Sequence, residues 1–183
     1  MSRHRRSDVV LVGGGPAGLA AASTAADAGK RVLLLDQGLR LGGQIWRHRA
    51  GEALPRVARE ALTDAAAPGI SVAHRATVVD AISANELVVS FKGRLARVET
   101  DALVLATGAV ERFLPFPGWT LPGVVGVGGL QALVKAGLRV VGARVVIAGS
   151  GPLMLPVAAT LARHGAEVVL IAEQSAGHAV RRF

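Results

Sequence analysis

Three glycines carry the first chemical signal in this chain. Gly13, Gly15 and Gly18 stand in "GGGPAG" at the spacing G-x-G-x-x-G, after the apolar run "VVLV" and ahead of an alanine-rich stretch entered through Pro16 and Ala17. At that spacing the first glycine makes a tight turn, the second lets backbone approach a pyrophosphate, and the third lets a helix pack closely on a sheet. The phosphate then rests on the positive end of the helix, where unpaired N–H groups point at it. Glycine-rich turns are common, so the hexapeptide alone decides little. Asp36 adds weight: it ends the next apolar run 18 residues after Gly18, with Gln37 following. An acid there can bind ribose hydroxyls and would repel a 2′-phosphate. Together these residues point to a dinucleotide; the plainer readings are a structural turn and a strand-end acid facing water.

The pattern recurs with a defect. Gly149 and Gly151 stand in "GSGPLM", but Met154 occupies the place of the third glycine, and Glu173 ends the following apolar run. A larger side chain there keeps helix and strand apart, so NAD is possible at this second site but doubtful. The five histidines, His4, His48, His74, His164 and His178, have no partner at a catalytic or metal-binding spacing. His164 reads as a C-terminal helix cap. No catalytic residue and no metal site is assigned.

The elements that must position these residues follow from periodicity. Asp8 to Val12 is a short buried strand, about Pro16 to Ala28 a helix closed by Gly29, and "RVLLLD" a second buried strand. "GLRLGGQIWRHRAG" reads as a loop, Pro55 to Ala66 as a helix, and Ile70 to Ala73 as a third strand. From Thr77 to Glu99 the period becomes two, with "ELVVSF", the turn "KG" and "RLARVE" making an antiparallel hairpin before "DALVLATG" returns to a buried strand. "FLPFPGWTLPGV" is dense in proline and glycine and marks an interdomain connection. Beyond it, "RVVIAGSGP" and "EVVLIAEQ" repeat the logic of "DVVLVGGGP" and "RVLLLDQ".

The expected class is α/β: a Rossmann-like parallel-sheet domain with an antiparallel hairpin or meander over residues 1–115, then an incomplete second Rossmann-like unit over 120–183. Composition bounds the function. With 183 residues, 51% of them apolar, the chain can bury a core. No apolar run reaches the roughly 18 residues of a membrane span, and no leader pattern precedes the first strand, so a cytoplasmic protein is expected. The net charge of +8 would suit nucleic acid, but aromatics are only 3% and tyrosine is absent, so stacking platforms are missing and no nucleic-acid partner is expected. There is no cysteine, which excludes a dithiol pair within this chain and leaves redox chemistry to a bound cofactor.

The segments "VVLVGGGPAGLAAA", "LLLDQ", "LGGQIWR", "ALVLATGAVERFLPFPGW" and "VVIAGSGPL" together resemble the two-dinucleotide-domain flavoprotein superfamily, within it the group around the opine oxidase A-subunit and the hydrogen cyanide synthase B-subunit. The resemblance implies that Gly13, Gly15, Pro16, Ala17, Gly18, Asp36 and Gln37 hold the ADP half of FAD. It implies that Gly43 and Gln44, after Gly42, pass under the flavin, that Val78 meets adenine through backbone, and that Ala106, Thr107 and Gly108 close the site. It further implies an oxidoreductase that takes a hydride from a carbon–nitrogen bond of an amino-acid-like or opine-like small molecule, working with a second oxidoreductase subunit. In that superfamily a downstream segment returns to complete the flavin site, so the chain reads as the N-terminal part of such an enzyme. A non-catalytic nucleotide-binding module and an inactive truncated fragment stay open beside it.

Overall fold

The computed structural model describes residues 4–180, which fall into two compact units, the first ending at Ala109 and the second beginning at Val110. The division comes earlier than residue 115, and the proline-rich stretch 113–124 belongs wholly to the second unit.

The first unit runs β1 (His4–Val12), α1 (Pro16–Asp27), β2 (Val32–Asp36), α2 (Arg56–Asp64), β3 (Ile70–His74), β4 (Ala76–Ser83), β5 (Glu86–Phe91) and β6 (Arg94–Leu105). One sheet contains all six strands in the order β3-β2-β1-β6-β5-β4. β1 is parallel to β2 and β6, and β2 to β3, while β4, β5 and β6 form an antiparallel meander. Alternation along the central strands builds two cores. Leu11, Val32 and Leu34 pack with Leu19 and Ala22 of α1, whereas Val10, Leu33 and Leu35 pack with Leu87, Val89 and Val98 of the meander. All of β2 is therefore buried, as a strand covered on both faces must be.

Two boundaries differ from the sequence reading. β1 begins at His4 rather than Asp8, because Arg5, Arg6 and Ser7 pair with Val98, Glu99 and Thr100. Polar residues extend the strand there, with Arg6 bonded to Asp101 at 2.8 Å. "RLARVE" and "DALVLATG" are likewise parts of one 12-residue strand, β6, which turns one edge to β5 and the other to β1.

The second unit holds α3 (Val127–Ala136), β7 (Arg144–Gly149), α4 (Met154–Arg163), β8 (Glu167–Glu173) and the four-residue α5 (Gly177–Val180). β7 and β8 form a two-stranded parallel sheet. Its core joins Val134 of α3, Ile147 of β7, and Met154, Val157 and Leu161 of α4. α3 is absent from the sequence reading, since Gly126, Gly128 and Gly129 hide its start. What fixes that start lies upstream: the Glu111 carboxylate accepts hydrogen bonds from the N–H groups of Val127, Gly128 and Gly129 at 2.8, 3.0 and 3.4 Å.

Candidate functional site

The strongest candidate site lies where β1 ends and α1 begins. Gly13 takes φ +106°, and a Cβ there would strike the Ala106 carbonyl oxygen, so only glycine fits the turn. Its N–H donates to the Leu35 carbonyl at 2.8 Å, and the Ala106 N–H donates to the Val12 carbonyl at 2.8 Å. A Cβ on Gly18 would run into the Gly13 carbonyl oxygen, which is the close helix–strand packing expected of the third glycine. Gly15 differs from both. The nearest atom to its Cβ position is the Gly43 Cα at 3.9 Å, so the protein does not fill the space in front of it.

That space faces donors. Gly15 is the N-cap of α1 and Pro16, with no N–H, stands in its first turn. Among the described residues, the N–H groups of Gly15, Ala17 and Gly18 meet no acceptor. The first turn also carries no acidic side chain to neutralise the helix dipole. Unsatisfied donors at a positive helix end, beside a gap kept open by glycine, suit an anion of phosphate size.

Asp36 is buried and already engaged. One carboxylate oxygen accepts from the Gly14 N–H and the other from the Gly38 N–H, each at 2.6 Å. The expected ribose acid is therefore also the brace of the glycine loop, with a remaining lone pair on each oxygen for a hydroxyl. Gln37 beside it is exposed. The sequence reading missed Gly14, whose Cβ would collide with Leu41 and press on Asp36. Three consecutive glycines were the available signal.

The other motifs converge on this loop. The Gly42 N–H donates to the Gly14 carbonyl at 2.7 Å, Gly42 and Gly43 take φ +112° and +59°, and a Cβ on Gly43 would sit 3.0 Å from the Gly15 Cα. Gln44 reaches the Ala109 carbonyl through Nε2 at 3.3 Å. Ala106 packs under Gly13, Thr107 is exposed, and Gly108 takes φ +71° with open space at its Cβ position. Among the described residues, Val78 makes no hydrogen bond to the loop. It lies on β4, half-buried and paired with Val89, although the Arg75 N–H donates to the Gly38 carbonyl at 3.2 Å and so sets the start of β4 beside the end of β2.

The second unit repeats the brace but not the loop. The Glu173 carboxylate accepts from the Ser175 N–H at 2.8 Å and the Gly151 N–H at 3.0 Å, and these bonds hold it below the usual carboxylate range. Positive φ falls on Gly151, at +99°, rather than on Gly149, and the helix starts only at Met154, whose sulfur lies 3.5 Å from the Gly149 Cβ position. The buried Met154 side chain thus fills what the first loop leaves to a third glycine.

The histidines stay outside this arrangement. His164 is the C-cap of α4, with Nδ1 2.8 Å from the Thr160 carbonyl; His48 uses Nδ1 on the Trp46 carbonyl at 2.8 Å. His4 lies in β1 and His178 in α5. Among the described residues no group of three or more His, Asp or Glu could hold a metal, and no helix is long and apolar enough to cross a membrane.

A family model described as pyridine nucleotide-disulphide oxidoreductase matches residues 7–178. The chain belongs to that family. It is 38% identical to the opine oxidase A-subunit of Agrobacterium tumefaciens over 175 residues, covering 86% of this chain and 35% of the relative. It is 38% identical to HcnB, a hydrogen cyanide synthase subunit of Pseudomonas protegens, over 180 residues, covering 91% of this chain and 38% of the relative. The chain thus spans little more than a third of these relatives. The L-proline dehydrogenase from P. horikoshii has the same fold, with a TM-score of 0.73 at 22% identity over 95% of this chain and 37% of that one. The chain itself contains no cysteine.

Proposed function

We propose that this chain holds FAD and forms the nucleotide-binding part of an oxidoreductase acting on a carbon–nitrogen bond of an amino-acid-like or opine-like small molecule. The observation that carries the cofactor reading is the gap before Gly15, ringed by the unsatisfied N–H groups of Gly15, Ala17 and Gly18. A pyrophosphate has the charge and size to fill it. Asp36, with Gln37 beside it, takes the ribose hydroxyls, the backbone near Val78 takes adenine, and the small residues Ala106, Thr107 and Gly108 leave room beside the loop. Gly43 and Gln44 carry the contact toward the ring. When bound, the flavin supplies the hydride acceptor, while the chain binds, orients and shields it.

The relatives' names support the substrate class and the assembly: the opine oxidase and hydrogen cyanide synthase relatives are named as subunits, and the fold neighbour as a proline dehydrogenase. On this reading a second oxidoreductase subunit is the partner. Chromatography of the flavin released from purified protein tests the cofactor: FAD is expected, and FMN, which lacks the ADP half that the loop grips, would overturn it.

A second reading is favoured by the exposed apolar residues of the β7–β8 sheet, among them Val146, Leu170 and Ile171. On it the chain holds nucleotide without turning over substrate unless further polypeptide completes the site. Stoichiometric FAD with no reduction by proline, sarcosine or opines under anaerobic conditions would select it.

A further inference from the structure

A cleft of about 290 Å³ opens off the ends of β2 and β3, lined by Leu39, Arg40, Leu41, His48, Leu62 and His74. We propose that it binds a small organic anion, a carboxylate on a short aliphatic body, independently of the cofactor. The lining divides by chemistry. Leu41 is buried and Leu62 half-buried, both in the helix-side core, and with Leu39 they make an apolar wall. Arg40, His48 and His74 supply nitrogen donors and no carboxylate lines the space.

The cationic side is unspent. Among the described residues the Arg40 guanidinium and the His74 ring meet no hydrogen-bond or ion-pair partner, and His48 uses only Nδ1, on Trp46. Three carboxylates close by in sequence are engaged elsewhere, Asp36 by Gly14 and Gly38, Glu52 by the Arg49 N–H at 2.9 Å, and Glu60 by Arg56 at 3.2 Å, and the exposed Asp64 does not line the cleft. A guanidinium next to an apolar wall calls for an anion that also brings apolar surface, because a bare ion leaves the leucines wet and a neutral alkane leaves Arg40 unpaired.

Volume and place narrow the ligand further. Small-molecule and cofactor sites take roughly 300–1,000 Å³, and this cleft, at about 290 Å³, sits at the lower end of that range, as suits a small ligand. The cleft and Val78 lie on different faces of the sheet, since Leu41 and Leu62 pack in the helix-side core whereas Val78 packs with the core on the meander face.

The test titrates the full chain, FAD-free and FAD-loaded, with hexanoate, acetate and 1-hexanol, following the ring signals of His48 and His74 by NMR. Hexanoate should shift both signals saturably in both forms, bind at least about tenfold tighter than acetate, and 1-hexanol should leave them unmoved. Arg40→Gln should weaken hexanoate about tenfold, as expected on losing one charge-assisted hydrogen bond, and Arg40→Lys should recover part of it. Arg40 is exposed, so neither change threatens the fold. Absence of saturation, equal binding of acetate and hexanoate, an Arg40→Gln titration matching the parent, or competition by FAD would each overturn the proposal.

Discussion

At the scale of single residues, the glycines of one motif answer to different constraints, and substitution should separate them. Gly18 is required by the protein itself, since any side chain there meets the Gly13 carbonyl. Gly18→Val should lower stability by roughly 1–3 kcal/mol, read from the denaturant midpoint, as overpacking does. Gly15 has room for a side chain and takes φ −78°, which any residue adopts. Gly15→Val should therefore keep the parent's melting temperature without added flavin and lose FAD. Retained stoichiometric FAD would show that the gap is not the pyrophosphate site. Asp8 makes a second residue-scale prediction. Its carboxylate accepts from the Arg31 guanidinium at 2.6 Å and from the Arg31 backbone N–H at 2.8 Å, and these bonds lower its pKa from 3.8 to about 2. A folded pKa below the unfolded one gives a contribution fully present above about pH 4 and lost as pH falls toward 2. The melting-temperature gap between the parent and Asp8→Asn should hold from pH 7 to about 4, narrow as pH falls toward 2 and close below it; a gap as wide at pH 2.5 as at pH 7 would contradict the linkage.

At the scale of elements, Glu111 holds the start of α3 through three backbone N–H groups. Glu111→Ala should cost about 1 kcal/mol of stability, the usual worth of a lost N-terminal cap. An unchanged denaturant midpoint would show that α3 starts without it. The second glycine loop predicts a binding result. With Met154 in the packing position and Glu173 ionised against Gly151, calorimetry should give no tight NADPH binding; a micromolar affinity would refute this. These two places show what the sequence made legible. β2, α1 and the hairpin of β5 and β6 could be read because their signals are local: a buried apolar run, a proline-entered alanine stretch, and a "KG" turn in which Lys92 and Gly93 take φ +50° and +75°. α3 could not be read, because its cap comes from Glu111, well before the helix, while three glycines blur its first turn. The first glycine loop was legible as a spacing, but the bonds that assemble it, Gly42 to Gly14 and Asp36 to Gly14, join segments that a linear reading keeps apart.

At the scale of the whole molecule, the two units differ in how well each satisfies itself. In the first, both faces of the central strands are covered, one by α1 and α2 and the other by the meander. In the second, β7 and β8 stand as a pair, and Val146, Val169, Leu170 and Ile171 are between 38% and 60% exposed, an arrangement foreign to parallel strands, which normally lie buried on both faces. Phe113, Phe116 and Trp119 cluster with ring centroids 5.7 and 6.3 Å apart yet remain 37–50% exposed. Covering such surface contributes roughly 25 cal/mol per Å² at most, and each 1 kcal/mol gained in a chain of this size is worth about 2–4 °C in Tm. The chain should accordingly melt low and bind an apolar dye. Extending it with the downstream region of a relative such as the opine oxidase A-subunit should raise both Tm and flavin occupancy, because more strands would cover β7 and β8. Thermal unfolding and bound FAD, measured side by side on the two proteins, decide the matter. Equal melting temperatures with equal occupancy would mean that the two-stranded sheet is stable as it stands, and that the exposed apolar surface serves an end other than covering by more of the same polypeptide.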